Sequence, residues 1–301
     1  MAEVTQLTIR TVEQISESPF YIPMTGPAAR PRRSLKHDDT FIVLDSHGDI
    51  GASAGGPDGL FNADTRYLAR LEMVLDDMQP LLLGSNLRDD NSALTVDLTN
   101  CDVYRNGRLA LQKDTLHIVR SIFLWRGSFY QRIGLQNHGD LPASFDLTLL
   151  FDNDFADLFE VRGEKRPRRG LGTSQLLGPA DVALDYKGLD GKSRSTALHF
   201  DPRPTRLAAN AATYHFELAP QQVSSLFVAV SCNKPAAHKP VPFFRGLLAH
   251  RREMRRSAKG ATSIETSNDI FNEVLCQSMA DLNMLMTDTP QIGRASCRER
   301  V

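Results

Sequence analysis

The densest concentration of chemically able groups in the sequence is FDNDFADLFEVRG, Phe151 to Gly163, where Asp152, Asp154, Asp157, Glu160 and Arg162 interleave with Phe151, Phe155, Leu158, Phe159 and Val161. Carboxylates this close together suit ligation of a hard cation, general acid and base work on a glycosidic bond, or ion pairing that fixes a loop. The spacing is not that of an EF-hand, which needs alternating ligands, a central Gly and a closing Glu. A glycosidase pair must stand about 5 to 10 Å apart across a sugar, and sequence spacing alone does not set that distance. The pairing reading has its cations at hand in Arg162, Arg166, Arg168 and Arg169. Because an unpaired buried carboxylate is costly, the pattern predicts a packed loop anchored by Phe155, Leu158 and Phe159, with Asp154, Asp157, Glu160 and Arg162 turned outward.

A second candidate is GLFNADTRYLARLE, Gly59 to Glu72, in which Asp64 and Arg66 stand two apart just before a strand. Side chains two apart on extended backbone share a face, so this pair would grip hydroxyls together or pair with each other. Other chemistries lack their residues. The eight histidines accompany no G-x-S-x-G nucleophile, and Gly55-Gly56 lacks the strand-loop-helix setting of a phosphate cradle. Cys101, Cys232, Cys276 and Cys297 are too far apart for a C-x-x-C site and are expected to be free thiols. No catalytic residue, metal or cofactor is assigned. Arginine clusters at 30–33, 166–169 and 251–256 sit in a chain of net charge −1 without an aromatic reader motif, which argues against nucleic acid as a partner.

These residues are carried by a β-rich chain. Short runs punctuated by Gly, Asn and Asp begin at Thr40, with alternation clearest at Ala93–Asn100, Ser144–Phe151, Val182–Tyr186, Thr196–Phe200, Ala212–Leu218 and Val223–Val230. Tyr67 to Asp77 alternates less cleanly, with Ala69, Leu71, Met73 and Leu75 as its better-buried face. Thr115–Trp125 and Ser128–Asn137 read as antiparallel partners joined by a tight turn at Arg126-Gly127. Glu164 to Gly170 reads as a basic hairpin tip. So many short strands with hairpin-length joins predict a mainly β fold, a large antiparallel two-sheet β-sandwich followed by two C-terminal helices.

The expected boundaries are an extended lead-in at 1–34, the β-sandwich at 35–235 and a linker helix at 236–262. A second helix at 263–290 follows. In the linker helix Pro242 stands at N1, Phe243, Phe244, Leu247, Leu248 and Met254 form the apolar face, and Gly260 closes it. The second helix begins at Thr266 or Ser267 and carries a wide stripe through Ile270, Phe271, Val274, Leu275, Met279, Leu282 and Leu285. Residues 292–301, IGRASCRERV, match the translation of a sequencing-adapter oligonucleotide, so 291–301 is expected to be an artefactual tail on an interrupted gene. No apolar run approaches a membrane span of about 18 residues, and the N-terminus has no secretory pattern, which predicts a cytoplasmic protein without a membrane partner.

Three stretches together carry a family resemblance: GLFNADTRYLARLE, FDNDFADLFEVRG with the following RPRRG, and SNDIFNEVLCQSMADLNMLMTDTP at Ser267 to Pro290. The chain resembles the N-terminal domain of bacterial glycogen debranching enzymes and amylo-α-1,6-glucosidase family proteins from about Leu35 to Pro290. The resemblance implies a supersandwich, a linker helix and then an (α/α)6 barrel holding the catalytic acid and base, with Ser267–Thr287 as the first barrel helix. It implies a glycoside hydrolase acting on α-glucosidic linkages, with an α-glucan or oligosaccharide as partner through the barrel. On that reading this chain is an inactive accessory domain. Asp64, Arg66, Asp154, Asp157, Glu160 and Arg162 then shape substrate or a domain boundary. The alternative is a free-standing carbohydrate-binding sandwich.

Overall fold

The computed structural model describes residues 31–51, 56–88, 90–234, 239–258, 264–289 and 293–296. The first strands are β1 (Arg33–His37), β2 (Thr40–Leu44), β3 (Gly59–Asn62), β4 (Thr65–Leu68), β5 (Arg70–Leu75), β6 (Leu81–Leu87) and β7 (Leu94–Thr99). A small hairpin, β8 (Val103–Arg105) and β9 (Arg108–Leu111), precedes the long β10 (Leu116–Trp125), β11 (Ser128–Asn137) and β12 (Ala143–Asp152). One helical turn, α1 (Leu158–Val161), leads to β13 (Leu171–Leu176), β14 (Asp181–Lys187), β15 (Ser193–Asp201), β16 (Arg206–Leu207), β17 (Ala211–Leu218) and β18 (Val223–Cys232). Helices α2 (Phe243–Ala258) and α3 (Asp269–Leu285) and a hairpin of β19 (Met286–Thr289) and β20 (Gly293–Ser296) complete the described chain.

The fold is mainly β, as the alternation predicts. An eight-stranded sheet, ordered β13-β14-β15-β18-β11-β10-β7-β6, accompanies two four-stranded sheets, β16-β17-β12-β5 and β1-β2-β3-β4. One face of the large sheet contributes Val96, Ile118, Ile133 and Val228 to a core shared with Leu71, Met73, Phe145 and Leu147 of the β12-β5 sheet. Each such side chain gains about 1.5–3 kcal/mol on burial, which is why the period-2 pattern sets the register. The expected face of β5 is confirmed: Leu71, Met73 and Leu75 are buried. Arg126 (φ 49°) and Gly127 (φ 69°) both adopt left-handed backbone, the two-residue turn whose twist suits a long hairpin. The sheet ends at β13, exposed throughout, and at β6, where Leu81, Leu82 and Leu83 are exposed and the register shifts between Leu82 and Gly84.

Arg120 sits in the middle of β10 with no solvent exposure. Its Nη1 donates to Asp49 Oδ1 at 2.5 Å and to the His47 carbonyl at 2.7 Å, and its Nη2 donates to the Gly48 carbonyl at 2.7 Å. Gln131, with its amide oxygen turned toward the guanidinium, accepts from Nε at 2.7 Å and Nη2 at 3.0 Å. Gly48 has φ 78°, and a Cβ there would stand 3.1 Å from the Ile122 side chain. Burial pushes the Asp49 carboxyl above its ordinary value, and Arg120 opposes that.

Several expectations are corrected. Glu164–Gly170 is no hairpin tip: it crosses from β12 in one sheet to β13 at the edge of another. β13 itself escapes the alternation criterion because an edge strand exposed on both faces has no apolar period. β1 begins at Arg33, inside the stretch expected to be lead-in; residues 1–30 lie outside the described residues. In α2 the contact face is Phe243, Gly246 and His250, whereas Phe244 and Leu248 are exposed. A Cβ on Gly246 would lie 3.4 Å from the Phe123 ring, ordinary van der Waals contact, so the helix lies directly against that ring. Gly260, expected to close α2, is outside the described residues.

His250 is buried at this contact, its Nε2 donating to the Ser92 carbonyl at 3.0 Å and its ring facing Phe123 and His37. Burial, reinforced by His37, pushes its pKa down to about 4, against weaker opposition from Ser92, Glu253 and Asp90. In α3 the N-cap is Asn268, whose side chain accepts from Phe271 N at 3.1 Å. No residue of α3 is buried, and Ile270, Val274 and Leu282 are more than half exposed. The helix is held by polar contacts: Asn91 to Asp281 at 2.6 Å, Gln277 to Asn91 at 3.2 Å and Lys36 Nζ to the Met284 carbonyl at 3.4 Å, with Lys36 also reaching Thr287 just beyond the helix at 2.8 Å.

Two outcomes follow from the packing. Arg120→Met, which leaves Asp49 buried without its cation, is expected to destabilise the protein by about 3–5 kcal/mol in urea unfolding. Because His250 is harder to protonate when folded, stability is expected to fall as pH drops from about 6.5 toward 4. Urea titrations should show a loss of about 2 kcal/mol at pH 5 relative to pH 7.5, absent in His250→Gln.

Candidate functional site

The acidic loop leaves the end of β12 and is stitched onto β4. The Arg66 and Ala69 N–H groups donate to the Ala156 and Asp152 carbonyls at 2.8 and 2.9 Å, and Leu158 N–H donates to the Asp64 carbonyl at 3.1 Å. Arg66, 8% exposed, is the central side chain. Its guanidinium forms a two-pronged pair with Asp154, Nε donating to Oδ1 at 3.1 Å and Nη2 to Oδ2, while Nη1 donates to the Gly56 and Asp58 carbonyls at 3.0 and 3.2 Å. Arg66 therefore does not pair with Asp64. Asp64 lies outside the strand in the β3–β4 turn, with φ 65° after Ala63 at φ 44°, so the shared-face expectation fails on backbone geometry.

Asp157 and Glu160 hold α1. Asp157 Oδ1 accepts from the Phe159 and Glu160 N–H groups at 2.9 and 3.0 Å, and Glu160 Oε2 accepts from Asp157 N–H at 3.2 Å, a reciprocal capping box. The free edges of both acids meet arginines from the basic segment. Arg166 Nη2 reaches Asp157 Oδ2 at 2.5 Å, and Arg169 reaches Glu160 Oε1 through Nε at 3.1 Å and Nη2 at 2.9 Å. Arg162 caps the turn, its N–H donating to the Leu158 carbonyl at 3.0 Å. The pairing reading of the acids is thus realised with Arg66, Arg166 and Arg169. Among the described residues, no three His, Cys, Asp or Glu side chains converge as a cation site requires.

The anchors differ from expectation. Phe155 is buried, edge-on to Tyr67 with ring centroids 5.5 Å apart and stacked on Tyr186 at 5.2 Å. Burial pushes the Tyr67 hydroxyl above its ordinary pKa. Phe155 has φ 47°, a conformation that costs an aromatic residue about 1–3 kcal/mol unless its surroundings enforce it. Leu158 is half-buried, and Phe159 is 62% exposed. Phe159 therefore does not anchor the loop: the capping box sets the turn, and its second position points outward. The D-x-x-E signature was visible in the sequence, whereas the Arg66–Asp154 pair, 88 residues apart, had no sequence signal.

A family model described as the N-terminal domain of (some) glycogen debranching enzymes matches residues 35–229. The chain belongs to this family. The matched span takes in every residue of the candidate site, from Asp64 to Glu160 and Arg162, and stops before α2. No curated protein matches the sequence. Among solved structures, the chain is similar to one described as a kojibiose phosphorylase from human microbiome, at 12% identity and a TM-score of 0.44, covering 85% of this chain and 36% of that one. The chain thus spans about a third of the length of that structure. It is also similar to the Slr1438 protein from Synechocystis sp. PCC 6803, at 11% identity and TM-score 0.44, covering 70% and 99% of the two chains. A galactose mutarotase related enzyme from Lactobacillus acidophilus aligns at 8% identity and TM-score 0.40, covering 70% and 100%.

Within this family domain the loop's geometry makes a ranked set of outcomes. Asp154→Asn should cost about 2–3 kcal/mol, because it removes the anion from a largely buried guanidinium. Asp157→Ala should cost about 1 kcal/mol through loss of the cap. Urea unfolding of the two variants checks the order.

Proposed function

We propose that this chain is the accessory, substrate-shaping part of a glycogen-debranching-type glycoside hydrolase acting on α-glucosidic linkages, with catalysis carried by a helical barrel domain. In this reading 1–34 is a lead-in, 35–235 the sandwich, 236–262 the linker helix and 263–290 the first helix of the barrel. Asp64, Arg66, Asp154, Asp157, Glu160 and Arg162 form or brace a surface at the domain boundary, where an α-glucan is the substrate. The reading includes a cytoplasmic setting, supported by the free thiols of Cys101, Cys232 and Cys276.

The observation that carries the proposal is the state of the acids. A hydrolytic carboxyl pair needs one group free to give a proton and another free to attack or to activate water. Asp154, Asp157 and Glu160 are instead committed to arginines and backbone N–H groups. What this stiffened turn presents is the ring of Phe159, an aromatic anchor of the sort that fills a partner's pocket. The outward apolar stripe of α3 supports the same arrangement, since a stripe of that width is suited to packing against further helices.

Two measurements test this. A homogeneous preparation of the chain is expected to release no reducing sugar from α-1,6-branched limit dextrin, and turnover that survives repurification would overturn the non-catalytic assignment. Calorimetric titration with linear maltooligosaccharides is expected to give no saturable binding. A saturable isotherm would favour the free-standing carbohydrate-binding module instead.

A further inference from the structure

Helix α2 rests on the outer face of the eight-stranded sheet through an aromatic cluster of its own. Phe243 packs with Ala93, Phe123, Trp125, Tyr130 and Ala229, a set separate from the core that joins the sheets. Phe123 is stacked on Tyr130 with ring centroids 4.9 Å apart and stands edge-on to Phe243 at 5.2 Å. Phe244 and Leu248 of the same helix are turned to solvent. The sandwich therefore keeps its core if α2 leaves, which is the condition for a helix to open as a unit without global unfolding.

Two side chains tie the helix down. Glu253 Oε2 accepts from Trp125 Nε1 at 2.9 Å and lies 3.9 Å from Arg126 Nε. His250 Nε2 stands 3.0 Å from the Ser92 carbonyl, which can only accept, so the neutral ring carries its proton there and leaves Nδ1 bare. That Nδ1 is buried and has no hydrogen-bond partner. A second proton must go on this atom, where no acceptor meets it, and a buried charge without a partner is costly.

The groups around the ring offer the new charge no relief. From β1, His37 faces it with ring centroids 5.5 Å apart, and when protonated beside Asp38 Oδ2, at 3.2 Å, it adds a second positive charge. Before β7, Asp90 is occupied: its Oδ1 accepts from Ser92 Oγ at 2.5 Å, from Ser92 N–H at 3.1 Å and from Arg88 Nε at 3.3 Å. On α2 itself, Glu253 is held by Trp125. β10 contributes only the uncharged Phe123 ring, stacked on the imidazole at 5.7 Å. We propose that α2 is an acid-released latch: protonation of His250 undocks the helix from the sheet while the sandwich stays folded. With His250 titrating at about 4 when docked and at its ordinary 6.5 when free, linkage multiplies the undocking constant by about 100 between pH 7 and pH 4. Release depends on contacts within this chain alone, not on the boundary role proposed for the acidic loop.

Trp125 is the single tryptophan of the sequence and is bonded to α2, so its fluorescence reports docking. The test is an acid titration of the 301-residue chain from neutral pH, following acrylamide quenching of Trp125 and, in parallel, the strand signal in circular dichroism. Quenching is expected to rise about threefold as pH falls toward 4, with the strand signal retained. His250→Gln, which has no proton to gain, should show the wild-type neutral emission and lose the transition. His37→Gln, which removes the facing charge, should shift the transition to lower pH, and it decides the matter if His250→Gln is already undocked at neutral pH. Trp125 that stays shielded in the folded protein at the acid end overturns the proposal. So does loss of the strand signal in the same step, or a transition unmoved in both variants.

Discussion

The fold turns on a buried cation. Arg120 lies in the centre of the large sheet, fully withdrawn from water, and its donors are distributed over Asp49, two backbone carbonyls and Gln131. A guanidinium in such a place is tolerable only if nearly every N–H finds an acceptor, because the desolvation cost of the ion is several kcal/mol. That requirement fixes the path of residues 47–49, where the His47 and Gly48 carbonyls and the Asp49 carboxylate must face β10. Asp49 extends the constraint by also accepting from Met73 N–H at 3.2 Å, so β5 is tied to the same point. The strand that leads away from the candidate site and the strand at the heart of the core are thereby referenced to one group.

The acidic loop uses the same device at smaller scale. Arg66 is enclosed by the Asp154 carboxylate and two carbonyls, and the resulting clamp holds the chain where β12 leaves the sheet. Two further arginines lock the next two acids from outside. The left-handed backbone at Phe155 is the local cost of this arrangement, offset by burial of its ring, stacked on Tyr186 and edge-on to Tyr67. Rigid presentation of a surface, rather than proton transfer, is what such a construction does well.

Much of this was legible beforehand. Alternation located most strands that have one buried face, and the Arg126-Gly127 turn joined the longest pair correctly. What escaped were elements with no apolar period, such as β13, and relations between distant residues. Arg66 and Asp154 are paired across 88 residues, and only the folded sheet brings them together. The rotated face of α2 was missed for a related reason: Gly246 and His250 carry no aliphatic side chain, yet it is their side of the helix, with a buried imidazole bonded to Ser92, that touches Phe123. Asp64 was misplaced because a turn at positive φ breaks the two-residue period just where it was being counted.

The irregularity in β6 bears on how the molecule behaves in a crowd. Three consecutive leucines on the free edge of an eight-stranded sheet would ordinarily invite a second chain to extend the ladder, copy after copy. The slipped register between Leu82 and Gly84 spoils that template. A neighbouring strand that pairs with one half of the edge falls out of step with the other, so growth of a fibril from this side is arrested after a few bonds.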